Sequence, residues 1–163
     1  MDRVFTLGPT PQNVDVYLDG DKKFAYDTDH KTISVPWNGN HVIELRSPVG
    51  CCFSERIDVG PDRPLPPDNI IARKLKWKPA RLTILTEPAA PRARVIVKDP
   101  GAGGAGTPAK VGDDVSIPFH PGDERTKEVE VDVDTGDSFT SERVSVHAGE
   151  QSSHLIKLVK PKN

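Results

Sequence analysis

The sequence predicts an all-β protein made of two tandem antiparallel β-sandwich domains related by an internal repeat. Three observations predict it: chain breakers are dense, strand-forming residues are abundant, and three segments recur in the same order in the two halves. Of 163 residues, 16 are proline and 13 glycine. An interior proline costs a helix about 3 kcal/mol, so long helices do not survive that density. Seventeen valines and nine isoleucines suit a pleated surface, where branched Cβ atoms pack well. Hydrophobic residues make up 35% and charged residues 28%, too mixed a composition for a disordered chain.

The repeat organises the chain. Pro11–Asp19 aligns with Pro91–Asp99 at an offset of 80, Ile33–Trp37 with Val115–Phe119 at 82, and Ser54–Val59 with Ser141–Val146 at 87. The last pair shares Ser-Glu-Arg-(Ile/Val)-x-Val. The offset grows only across turn-like residues, which include the glycine-rich run 101–106. That is how two copies of one fold with loop insertions behave. The boundary falls at Lys78-Pro79-Ala80, where proline stops a continuing ladder. The expected domains are residues 1–78 and 79–163.

Within each copy the alternation has a period of two, the mark of a half-buried strand. Val14, Val16 and Leu18 alternate with Asp15, Tyr17 and Asp19, and Asp19-Gly20 is a hairpin turn signal. Ile33–Trp37 leads to Asn38-Gly39 in the same way. In the second copy Val129, Val131 and Val133 alternate with Glu128, Glu130 and Asp132, and Val144 and Val146 flank Ser145. Pro121-Gly122, Thr135-Gly136-Asp137 and Ala148-Gly149 close these runs. Six or seven short strands per copy are expected, with one wet face per sheet. Trp37 matches Phe119 and Phe53 matches Phe139, which assigns both aromatic pairs to the core.

Gly106-Thr107-Pro108, Val115-x-Ile117, Pro121-Gly122, Val129-x-Val131-x-Val133, Val144-x-Val146-x-x-Gly149-Glu150 and Leu155-x-Lys157-Leu158 together resemble the bacterial PEGA domain. In the first copy, Asn38-Gly39-Asn40-His41-Val42-x-Glu44-Leu45 is similar to that family's Gly-x-His strand start. Neither copy carries the Pro-Glu-Gly-Ala signature, and the first lacks Gly-x-Thr-Pro. The resemblance implies a small Ig-like sandwich found with kinase, surface and scaffold proteins. It implies interaction and no catalytic residues.

The residues themselves supply little chemistry. Cys51 and Cys52 are adjacent, staple no loop and lack further zinc ligands, so they read as free thiols in a reducing, cytoplasmic setting. No apolar run is long enough to span a membrane, and Met1–Pro9 has no apolar core of a secretory signal. His30, His41, His120, His147 and His154 are scattered and read as surface or turn residues. No Gly-x-Ser-x-Gly elbow exists. Ser54 and Ser141 precede Glu55-Arg56 and Glu142-Arg143, whose charges are expected to pair across strands. Asp132, Asp134 and Asp137 surround a turn, but glycine and aspartate stand in the wrong order for an EF-hand loop, leaving only a loose cation site. The 101–106 run lacks the Lys-Ser/Thr ending of a phosphate loop and reads as a hairpin connection. No cofactor and no enzyme activity are expected.

Charge and proline point to a partner instead. Arg73, Lys74, Lys76, Lys78 and Arg81 crowd into nine residues without an acid, and Lys74, Lys76 and Lys78 alternate with Leu75 and Trp77, a basic stripe if the segment is a strand. Such lysines protect an edge or dock an acidic surface. The second copy is acidic from Asp123 to Asp137, so self-association is a further use of the stripe. Arg63-Pro64-Leu65-Pro66-Pro67 is a stiff loop absent from the second copy. The net charge of −2 argues against nucleic acid. The sequence therefore predicts a non-catalytic scaffold or adaptor module of a bacterial assembly. It binds another protein through Arg63, Leu65, Arg73, Lys74, Lys76, Trp77, Lys78 and Arg81. The alternative is a carbohydrate- or cell-envelope-binding module stacking sugars on Trp77, Tyr17 and Tyr26.

Overall fold

A computed structural model describes residues 1–100 and 106–158. The glycine-rich connection expected at 101–106 falls, apart from Gly106, outside the described residues. The chain divides into two compact units, Met1–Lys76 and Trp77–Asn163. The first unit holds β1 (Asp2–Thr10), β2 (Asp15–Leu18), β3 (Asp21–Ala25), β4 (Thr32–Pro36), β5 (His41–Arg46), β6 (Glu55–Val59) and β7 (Ile70–Lys74). The second holds β8 (Ala80–Glu87), β9 (Arg94–Lys98), β10 (Thr107–Lys110), β11 (Asp114–Ile117), β12 (Thr126–Asp134), β13 (Phe139–His147) and β14 (Gln151–Lys157).

Each unit is a sandwich of a three-stranded and a four-stranded sheet, with one topology used twice. The orders are β4-β1-β7 with β3-β2-β5-β6, and β11-β8-β14 with β10-β9-β12-β13. Cis peptide bonds at Thr10-Pro11 and Glu87-Pro88 end β1 and β8 in both units. The ladders are antiparallel except β1 with β7 and β8 with β14, which run parallel. Hydrophobic alternation carries no information on strand direction, so these two pairs were not readable from the pattern.

The inward side of each strand builds the core. Phe5, Val16, Val35, Ile43, Leu45 and Ile71 are fully buried in the first unit, and Leu82, Ile84, Val95, Val129 and Ile156 in the second. The rings of Phe5 and Trp37 lie 6.0 Å apart, tilted by 51°. Asp19 (φ 51°) and Gly20 (φ 89°) both take positive φ between β2 and β3, as a two-residue type I′ hairpin requires.

Two expectations about side chains are corrected. The 80-residue offset between Pro11–Asp19 and Pro91–Asp99 is out of register. Val16 pairs with Leu45, and Val97 pairs with Val131. An offset of 80 would instead match fully buried Val16 to Ile96, which is 38% exposed. A slip of one residue turns every side chain to the other face. Phe53 and Phe139 are not core residues, being 51% and 63% exposed. Along β13 the even positions Val144 and Val146 are buried, so Phe139 points outward with the odd ones. Phe53 precedes the first rung of β6. The other matched pair does pack inward, with Trp37 partly buried and Phe119 buried.

Cys51 and Cys52 are bonded to each other in a disulfide. This corrects the free-thiol reading and removes its argument for a reducing compartment. Both residues are buried, directly after a turn closed by the Gly50 amide donating to the Ser47 carbonyl. The bond forms a small local ring and staples no loop.

Candidate interaction surface

The last strand of the first unit is an open edge. Among the described residues β7 pairs only with β1, so the backbone groups on its other side have no ladder partner there. The chain reaches β7 through the exposed stretch from Arg63 to Leu65. Pro66 sits at φ −60°, ψ 140°, the polyproline conformation. A single 3-10 turn, Pro67–Asn69, follows, and the Asn69 amide donates to the Pro66 carbonyl at 3.1 Å. Prolines fix this approach, so Leu65 and Ile70 stay in solvent, 50% and 48% exposed.

The sheet that β7 borders has a nearly uncharged outer face. Thr6 stands opposite both Thr32 and Ile70, Val4 opposite Ser34, and Gly8 opposite Ala72. The outward residues between Asp2 and Lys74 are small, hydroxylic or apolar. The four-stranded sheet behind it is different. Its outer face is charged, and several of those charges pair within it: Glu44 pairs with Arg46, Lys22 lies 3.5 Å from Asp15, and the Arg46 guanidinium sits 3.9 Å from the Tyr17 ring centre. The hydrogen bond from Arg46 holds the Glu44 carboxyl below its ordinary pKa, against a raising contribution from burial.

The basic stripe is not one strand. β7 ends at Lys74 and β8 begins at Ala80, so Lys74, Lys76 and Lys78 do not share a strand face. Arg73 lies 3.7 Å from Glu55, and Arg81 lies 3.2 Å from Asp114. Trp77 packs on the core of the second unit and its indole N–H donates to the Asp123 carbonyl at 3.1 Å. Lys78 is half-buried. Lys74 and Lys76 are exposed and hold no carboxylate among the described residues. The first unit thus gathers Arg63, Leu65, Arg73, Lys74 and Lys76, while Trp77, Lys78 and Arg81 belong to the second. The three aromatic residues proposed for sugar stacking are each engaged within their own unit: Tyr17 is capped by Arg46, Trp77 is packed, and Tyr26 is half-buried.

The other candidates are occupied by structural contacts. His41 lies 2.6 Å from Asp19, His30 2.8 Å from Asp27, His154 2.8 Å from Glu142 and His147 2.7 Å from the Thr126 hydroxyl. The His41 hydrogen bond and the Val42 amide hold the Asp19 carboxyl below its usual range. That carboxylate ties the β2–β3 turn to the start of β5. The Ser141 hydroxyl donates to Asp132 at 2.7 Å and to Glu130 at 3.0 Å. Asp132 is paired with Lys98 at 2.8 Å, and Asp134 accepts the Gly136 amide at 2.8 Å. The three turn carboxylates therefore do not converge, and no cluster able to hold a metal occurs among the described residues.

One grouping escaped the sequence reading. A groove of about 400 Å³ lies where β9 begins and β10 ends, with Arg92, Arg94 and Lys110 around an apolar floor that includes Pro91, Ile96 and Pro108. Five other bases of this unit are paired: Arg81 with Asp114, Lys98 with Asp132, Arg125 with Glu150, Lys127 with Asp99 and Asp123, and Arg143 with Glu128. The only sequence signal was Arg92-x-Arg94, and Lys110 joins it through the strand register.

No family model and no curated protein matches the chain, so the PEGA resemblance has no family match behind it. Among solved structures, the chain is similar to the Bacillus anthracis TIE protein, with a TM-score of 0.45 and 15% identity over 98% of this chain. It spans 34% of that protein's length. It is also similar to a proposed cell adhesion protein of Bacteroides thetaiotaomicron, with a TM-score of 0.32 and 12% identity over 94% of this chain and 91% of that one. A third is the shaft pilin of Lactobacillus rhamnosus GG, at 0.28 and 8% over 100% and 98%. Likeness at these levels assigns no function, and the sandwich architecture rests on the strand ladders. Among the described residues no helix is long and apolar enough to cross a membrane.

Proposed function

We propose that the chain is a non-catalytic protein-interaction module of the scaffold or adaptor type, and that it binds its partner along β7. The observation that carries this reading is the open β7 edge, with exposed Leu65 on the approach to it, exposed Ile70 at its first position, and Lys74 at its end and Lys76 just beyond, both without a carboxylate among the described residues. An extended segment of a partner adds to such an edge through backbone hydrogen bonds, and pockets and charges beside the edge select its side chains. Lys74 and Lys76 favour an acidic segment, whose attraction speeds encounter and weakens with salt. The uncharged outer face of β4-β1-β7 supports the same reading, since a partner covers it without stranding a buried charge.

The test is capture from host lysate by the full chain and by two variants, Ile70→Asp and the double change Lys74→Glu with Lys76→Glu. Both changes are at exposed positions, so the fold is expected to survive. A partner retained by the wild type and lost by both variants supports the reading. A partner retained equally by all three proteins overturns it.

A further inference from the structure

The groove between β9 and β10 joins two observations that do not explain themselves within the fold. Arg94 and Lys110 stand directly opposite each other in the ladder, and like charges in that position destabilise a sheet. The neighbouring strand does not relieve them. Asp134 is opposite Arg94 in register, yet its carboxylate accepts the Gly136 amide at 2.8 Å and no ion pair joins it to Arg94. Arg92 adds a third base without a carboxylate partner among the described residues. This occurs in a unit whose acids outnumber its bases and whose other strand-borne arginines are paired.

We propose that this groove is a second binding site, and that it takes an acidic peptide segment carrying an apolar anchor. Two guanidinium groups and an ammonium group supply charge-assisted donors for carboxylates. Ile96 and Pro108, both exposed, give an apolar side chain somewhere to rest between them. Pro108 also lacks an amide N–H, so β10 is a poor template for strand addition. Recognition here runs through side chains, unlike that along β7. The site deepens the interaction-module reading but uses none of the β7 residues.

The test is fluorescence anisotropy on the full chain with a fluorescein-labelled octapeptide of alternating glutamate and leucine. The control peptide has glutamine in place of glutamate. The wild type should bind the glutamate peptide, more weakly as salt is raised, and should bind the control at least tenfold less. The double change Arg94→Gln with Lys110→Gln should weaken binding about tenfold, or ~1.4 kcal/mol. Its melting temperature should not fall, since a repulsion is removed. Exposed Arg92→Gln serves as a second variant and should also weaken binding. The β7 variant Ile70→Asp should leave this binding unchanged, which separates failure here from failure of the edge reading. No binding of the glutamate peptide, equal binding of the control, or unchanged affinity in the two groove variants would overturn the proposal.

Discussion

Lys98 Nζ lies 2.8 Å from the Asp132 carboxylate on the outer side of the second four-stranded sheet. By the parity of β12, Asp132 faces outward, yet it is almost completely buried. Lys98 from β9 and Ser141 from β13 close over it from both sides. Burial raises the Asp132 pKa, but the hydrogen bonds from Lys98 and Ser141 outweigh it and hold the carboxyl below its ordinary value. The same contact raises the Lys98 pKa.

A lowered folded pKa stabilises the protein above the unfolded value, and that stabilisation is lost as pH falls through the folded one. The window is therefore acidic, below about pH 4. Asp132→Asn should cost about 1–2 kcal/mol at neutral pH, since Lys98 is partly exposed and rehydrates. Urea midpoints below pH 4 should then fall less steeply for the variant than for the wild type. Parallel pH profiles would contradict this role for the carboxylate.

Two aromatic truncations should behave oppositely. Phe5 is fully buried against Trp37, so Phe5→Ala should cost about 3–5 kcal/mol. Phe139 is mostly in solvent, and Phe139→Ala should stay within about 0.5 kcal/mol of the wild type. Denaturant unfolding of both variants reads the difference directly.

Most of the architecture was readable because period-two alternation is a direct image of a half-buried strand. Val129, Val131 and Val133 are the clearest case. Parity also held the information on Phe139, which sits on the opposite phase from Val144 and Val146. The similarity to Phe53 concealed it. The run Val95-Ile96-Val97 is apolar on both faces and lost its phase, hence the slipped alignment. Strand direction at β7 and β14 leaves no periodic signature. The groove joins Arg94 to Lys110 only through the β9–β10 register, and the basic stripe dissolved because a change of unit interrupts it at Trp77.

The cysteines give a chemical check. Denatured, unreduced protein should take up no iodoacetamide, because Cys51 and Cys52 are bonded to each other. After reduction it should take up two equivalents. Labelling of both thiols before reduction would contradict the bond.

Amide hydrogen exchange on the wild-type chain, free and bound to the partner it captures, tests the role of β7 most directly. Amides in residues 70–74 should exchange more slowly in the complex, with smaller changes across the β3-β2-β5-β6 sheet. Protection concentrated on that charged sheet, with residues 70–74 exchanging as fast as in the free chain, would contradict binding along the edge.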